Sequence, residues 1–157
     1  MTTRTAQRER AGDVAQEIRY WMSAPPITIN VDAQVSEALA LMHEHSIRRL
    51  PVVDADGKLV GIITDGDIRG ASILRVSGMD LRDIAHSLSR TTVYEVMTDH
   101  PITVTPDTSL RDAAMLMLDN KVGGLPVVDA QQQVVGVITE SDLFKALVCY
   151  LDVAARS

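Results

Sequence analysis

The chain has 157 residues, which at the usual one to two hundred residues per domain allows one compact domain or two small ones and excludes a large multidomain assembly. With 46% hydrophobic and 23% charged residues it has the make-up of a folded protein, and its net charge of -6 argues against the broad basic surface that nucleic-acid binding needs. The single Cys149 cannot close an internal disulfide, Met1 to Gly12 lacks an apolar signal segment, and no run of about 18 apolar residues occurs, so a cytoplasmic protein without membrane spans is expected.

Residues 1–20 alternate Arg, Glu and Gln with few large apolar side chains before Ile18, Tyr20 and Trp21, the pattern of a frayed start entering a helix. Ile27 to Val31 is a short β-branched run after proline and reads as a strand. Val35, Ala38, Leu39 and Met42 recur three and four apart, as on one face of a helix, with Gln34 as a weak start signal. Leu50 to Val53, the turn Asp54 to Gly57 and Leu59 to Thr64 make a β-hairpin, after which a helix runs from Asp67 to about Leu74. Between Arg75 and Arg90, Met79, Ile84 and Leu88 stand beside Asp80, Asp83 and His86, which predicts a short connecting helix with a weak apolar face.

The same order then returns. Ile102 to Thr105 is again a strand; Leu110, Ala113, Ala114, Met117 and Leu118 mark a helix started by Ser109 with Asp112 three residues on. Leu125 to Val128 opens the second hairpin, whose turn Asp129 to Gln133 has no glycine and is expected to be looser; a helix follows from Asp142 to about Val153. Met22 to Ala71 aligns with Met97 to Ala146 without a gap, about 40% identical at a constant shift of about 75 residues. The chain is therefore a tandem of two β-α-β-β-α units, an α+β fold. The expected division is 1–20 as an amino-terminal segment, 21–74 as repeat one, 75–94 as a linker and 95–153 as repeat two.

Pro26-Ile27-Thr28, Leu50-Pro51-Val52-Val53-Asp54 and Gly61-Ile62-Ile63-Thr64 with Asp67, each repeated in the second half, resemble the CBS domain, two of which form a Bateman module. In size and layout the chain is similar to two-repeat proteins of the acetoin-utilisation type. The resemblance covers about Tyr20 to Val153. It implies two repeats packed with pseudo-twofold symmetry, and a non-enzymatic regulatory module that takes AMP, ADP or ATP in the clefts between them. S-adenosylmethionine is the alternative ligand, and no cofactor is required. It further implies a homodimer and a regulated protein partner; charge and the lack of a long apolar run predict neither nucleic acid nor membrane as partner.

By the same resemblance, adenine is read by the first strand of each repeat, at Ile27, Thr28 and Ile29 and at Ile102, Thr103 and Val104, with Ile62 or Val137 against the ring. Asp67 and Asp142, three residues after Thr64 and Thr139, can accept hydrogen bonds from ribose hydroxyls. The phosphate position holds Arg48-Arg49 in repeat one but follows Val122 as Gly123-Gly124 in repeat two, so the two clefts are expected to differ, with Arg69 as a further cation for the first. Asp67 and Asp142 read equally as helix caps, and Gly61 and Gly136 as places of close approach by a ligand or another backbone. An assembly module without a small ligand is the competing class.

Enzyme signatures are missing: the chain has no GxxxxGK, GxGxxG, CxxC or GxSxG. His43 and His45 lie two apart on a helix and face different ways, so no metal site is expected there. Cys149, in the apolar stretch Ala146 to Leu151, reads as a packed thiol.

Overall fold

Alternation along each hairpin decides which face enters a core, and the rest of each repeat is built around that face. The computed structural model describes residues 9–10, 13–75 and 78–156. In chain order these form β1 (Glu9–Arg10), β2 (Asp13–Val14), a 3-10 turn (Ile18–Tyr20), β3 (Ile29–Asn30), α1 (Val35–His45), β4 (Arg49–Val53), β5 (Leu59–Thr64) and α2 (Asp65–Arg75). Then come α3 (Leu81–Leu88), α4 (Val93–Val96), β6 (Thr98–Asp99), α5 (Leu110–Asn120), β7 (Gly124–Val128), β8 (Val134–Thr139) and α6 (Glu140–Ala155). They divide into a central unit, Ile27–Pro101, and an outer unit made of Met1–Pro26 with Ile102–Ser157.

In the central unit the sheet order is β3-β4-β5-β6, with β3 parallel to β4 and the other pairs antiparallel. Leu50, Val52 and Ile63 point to one face and are fully buried with Val35, Ala38 and Met42 of α1 and Ile68 of α2. Each such side chain contributes about 1.5–3 kcal/mol on burial. In the outer unit Leu125, Val127 and Ile138 take the same places, packed with Ala113 and Met117 of α5 and Ala146 of α6. Val14 and Ile18 from the amino-terminal segment and Trp21 at the start of the first repeat complete that outer core.

The leaders of the two repeats are exchanged. The opening residues of repeat two pack on the hairpin of repeat one, where β6 pairs with β5 through Gly61 and Asp99. The opening residues of repeat one pack on the hairpin of repeat two, where Ser23 bridges Val137. This accounts for both strand glycines. A Cβ at Gly61 would stand 2.9 Å from the Thr98 carbonyl oxygen, and one at Gly136 would stand 2.9 Å from that of Ser23 and 2.7 Å from Met22 Sδ. What approaches these glycines closely is another stretch of backbone.

Several local expectations change. The strand expected over Ile102 to Thr105 shrinks to a single parallel bridge, Val104 to Val127, and the one over Ile27 to Val31 to two residues. The second turn is as tight as the first. Asp129 Oδ1 accepts from the N–H groups of Gln131 and Gln133, both at 2.9 Å, as Asp54 Oδ1 does from Asp56 at 2.9 Å and Lys58 at 3.0 Å. Gln132, at φ 62°, takes the left-handed conformation that Gly57 takes at φ 78°. The helix expected at the end of the amino-terminal segment is a 3-10 turn, and the part of that segment before Glu9 lies outside the described residues. The weak start signal Gln34 is supported from behind, because Glu37 accepts from its N–H at 2.7 Å. The short helix α4, which sequence periodicity did not predict, is closed by Thr92 N–H donating to Glu95 at 2.7 Å.

Candidate functional site

The antiparallel register of each hairpin fixes which residues stand side by side on its second face. In the central unit Arg49 lies opposite Thr64 and Pro51 opposite Ile62. One step beyond, the carbonyl of Arg48 accepts from Asp65 N–H at 2.9 Å, which ties the arginine pair to the start of α2. The outer unit repeats the frame: Gly124 opposes Thr139, Pro126 opposes Val137, and the Gly123 carbonyl accepts from Glu140 N–H at 3.1 Å. Val122 packs half-buried against the outer core.

Asp67 caps its own helix. Its Oδ2 accepts from Thr64 N–H at 2.9 Å, and Thr64 Oγ1 accepts from Asp67 N–H at 3.0 Å. Oδ1 has no partner among the described residues, and Asp67 is half-buried, so that oxygen keeps its lone pairs for another donor. Thr64 accepts through its hydroxyl oxygen and keeps its own hydroxyl hydrogen to donate.

Asp142 is more occupied. Its Oδ2 accepts from Thr139 N–H at 3.0 Å and from the Thr139 hydroxyl at 3.1 Å, while Oδ1 stands 3.7 Å from Lys145 Nζ. The residue is 5% exposed. Lys145 aligns with Gly70 of the first repeat and was not singled out from the sequence, although that alignment marks it as a cation with no counterpart.

The first-strand residues offer mainly backbone. Ile29 and Val104 bury their side chains in the two cores. Val104 also spends its backbone in the sheet, donating to the Pro126 carbonyl at 3.1 Å and accepting from Val128 N–H at 2.9 Å. Ile27, Thr28, Ile102 and Thr103 are half-buried and precede the paired stretch. Residues 27–29, 48, 49, 62, 64 and 67 thus belong to the central unit, and 102–104, 122, 123, 137, 139 and 142 to the outer unit. Arg69 is turned to Asp65, 3.6 Å away on an exposed helix face.

Among the described residues no group of three or more His, Cys, Asp or Glu side chains could hold a metal ion. No described helix is long and apolar enough to cross a membrane.

A family model described as CBS domain matches residues 13–73 and 93–149. A CBS domain-containing protein of Dictyostelium discoideum is 38% identical over 135 residues, covering 86% of this chain and 93% of that protein. Among solved structures, the CBS domain pair of protein MJ0100 in complex with 5′-methylthioadenosine and S-adenosyl-L-methionine aligns at TM-score 0.72 and 33% identity, over 83% of this chain and 98% of that one. CBSX2 of Arabidopsis thaliana in complex with AMP aligns at TM-score 0.71 and 28% identity, over 86% and 98%. A Vibrio cholerae protein assigned to acetoin utilization (AcuB) aligns at TM-score 0.72 and 30% identity, over 90% and 96%.

Proposed function

The chain belongs to the CBS-domain family as a tandem pair, and from that membership we propose that it is a non-enzymatic cytoplasmic module that binds an adenosine-containing ligand and signals by self-association and partner contact. The observation that carries this reading is the duplicated Thr-x-x-Asp cap, Thr64 with Asp67 and Thr139 with Asp142, each at the end of a hairpin strand. In a relative with bound AMP and another with bound 5′-methylthioadenosine and S-adenosyl-L-methionine, the ligand class is the same: a ribose bearing adenine.

The chemistry is recognition. A carboxylate that caps a helix with one oxygen can still accept a ribose hydroxyl with the other, and Asp67 Oδ1 is open in that way. Ile27 and Thr28, and Ile102 and Thr103, which precede the paired stretches, supply backbone groups for the adenine edge, with Ile62 and Val137 against its face. Arg48 and Arg49 are the cations placed to meet phosphate, a geometry that guanidinium groups satisfy with two hydrogen bonds at once. The Gly123-Gly124 position offers none, so the Asp67 site takes AMP, ADP or ATP. The Asp142 site, where Lys145 Nζ stands 3.7 Å from the carboxylate, binds more weakly or takes S-adenosylmethionine.

Calorimetric titration of wild type, Asp67→Ala and Arg48→Ala/Arg49→Ala with AMP, ATP and S-adenosylmethionine tests this. Loss of the tighter AMP and ATP binding in Asp67→Ala, and weakened nucleotide binding but unchanged S-adenosylmethionine binding in the arginine variant, is expected. Equal ATP affinity in wild type and the arginine variant sinks the phosphate assignment. A second reading, an assembly module without ligand, is favoured by the caps being satisfied as they stand. It predicts no heat with any of the three ligands.

A further inference from the structure

Three residues past each capping aspartate the two repeats differ: Asp142 is followed by Lys145 and Asp67 by Gly70, at positions that align across the repeat. Side chains three apart on a helix meet on one surface, and Lys145 Nζ accordingly stands 3.7 Å from Asp142 Oδ1. The other oxygen of Asp142 accepts from the Thr139 N–H at 3.0 Å and from the Thr139 hydroxyl at 3.1 Å. With the residue only 5% exposed, both oxygens of this carboxylate are engaged inside the outer unit. Asp67 is more open. Its Oδ2 takes the Thr64 N–H, its Oδ1 meets no described group, and Arg69, two residues on, is turned to Asp65.

Nothing in the packing asks for a glycine at position 70. A Cβ there would have no heavy atom within 4 Å, and the residue lies inside α2, where glycine is less favourable than any residue but proline. That sets it apart from Gly61 and Gly136, whose missing side chains make room for a neighbouring backbone. What Gly70 provides is a helix surface with no side chain three residues on from Asp67.

We propose that the residue at this third position ranks the two sites: Lys145 holds Asp142 Oδ1 and makes it a poor ribose acceptor, Gly70 leaves Asp67 Oδ1 open, and the chain takes one tightly held adenosine ligand, at Asp67. An ammonium group attracts a carboxylate more strongly than a neutral hydroxyl does. A ribose hydroxyl must therefore share or displace the lysine at Asp142, whereas at Asp67 it meets an unclaimed oxygen. Lys145 acts through the aspartate and is a positioning residue. This rests on the adenosine reading above and adds the residue that sets the difference between its sites.

The experiment is calorimetric titration with adenosine, which carries no phosphate to engage Arg48 and Arg49 and so reports the ribose acceptor. Wild type takes one adenosine tightly per chain. Gly70→Lys weakens that site about three- to tenfold, the scale of a partly exposed ion pair set against one charge-assisted hydrogen bond, whereas Gly70→Met, similar in length but uncharged, leaves it unchanged. With Asp67→Ala removing the first site, Lys145→Met strengthens the remaining binding by a similar factor and Lys145→Arg does not. Circular dichroism without ligand checks the fold of each variant, and the Gly70 pair tests the ranking in the otherwise wild-type chain if the Asp67→Ala background fails to fold. Two equal sites in wild type, or an unchanged affinity in folded Gly70→Lys or folded Lys145→Met, overturns the ranking and leaves the adenosine reading standing. Binding of AMP without binding of adenosine puts the affinity on phosphate and overturns the ranking as well. No binding of either compound by wild type overturns both the ranking and the reading it rests on.

Discussion

Gly136 and Asp67 show how much one position can decide. A methyl group at Gly136 would stand against both the Met22 thioether and the Ser23 carbonyl, and the carbonyl belongs to a backbone that cannot swing aside. Gly136→Ala is therefore expected to lower stability by about 1–3 kcal/mol, measured as a fall in denaturant midpoint without change of slope. At Asp67 two roles are superposed. Asp67→Ala removes a helix cap worth about 1 kcal/mol and, on the proposed function, the ribose acceptor as well. The first loss appears in unfolding without ligand, the second only in ligand titration, so the two measurements separate them. The carboxylates were legible from the sequence because duplication marks them; which oxygen stays open was not, because that depends on where the threonine hydroxyl turns.

Among the elements, start signals were the most readable feature. Ser109 accepts from Asp112 N–H at 3.0 Å, and Ser109→Ala is expected to cost about 1 kcal/mol, read by thermal unfolding. Strand lengths were harder to read. Ile102 to Thr105 has the composition of a strand, but β7 is contacted there through a single bridge, so the pairing partner and not the β-branched residues sets its extent. The second turn departs from expectation because glycine is not required for tightness. Asp129, by accepting two N–H groups on one oxygen, holds the turn with glutamine in the left-handed position.

For the whole chain, the gapless repeat predicted two α+β units, and these are present. The exchange of leaders could not be read from that alignment. Met22 heads repeat one by sequence, yet it meets Gly136 of repeat two, because the contact is set by which hairpin edge is within reach. Trp21 makes the consequence measurable. It is buried in the outer core, with its indole N–H donating to the Ala15 carbonyl at 2.9 Å. Trp21→Ala is expected to cost about 3–5 kcal/mol, and hydrogen exchange should then accelerate across Ile102 to Ala155 more than across Ile27 to Pro101.

The central claim is that this chain binds an adenosine ligand, and the most direct measurement is the thermal midpoint of the wild-type protein against AMP, ATP and S-adenosylmethionine, with GMP as control. At about 100 times the dissociation constant a ligand adds roughly 2.7 kcal/mol, which for a chain of this size raises the midpoint by about 5–10 °C. The account predicts such a rise with at least one adenosine compound and none with GMP. An unchanged midpoint with all three adenosine compounds, or an equal rise with GMP, would contradict it.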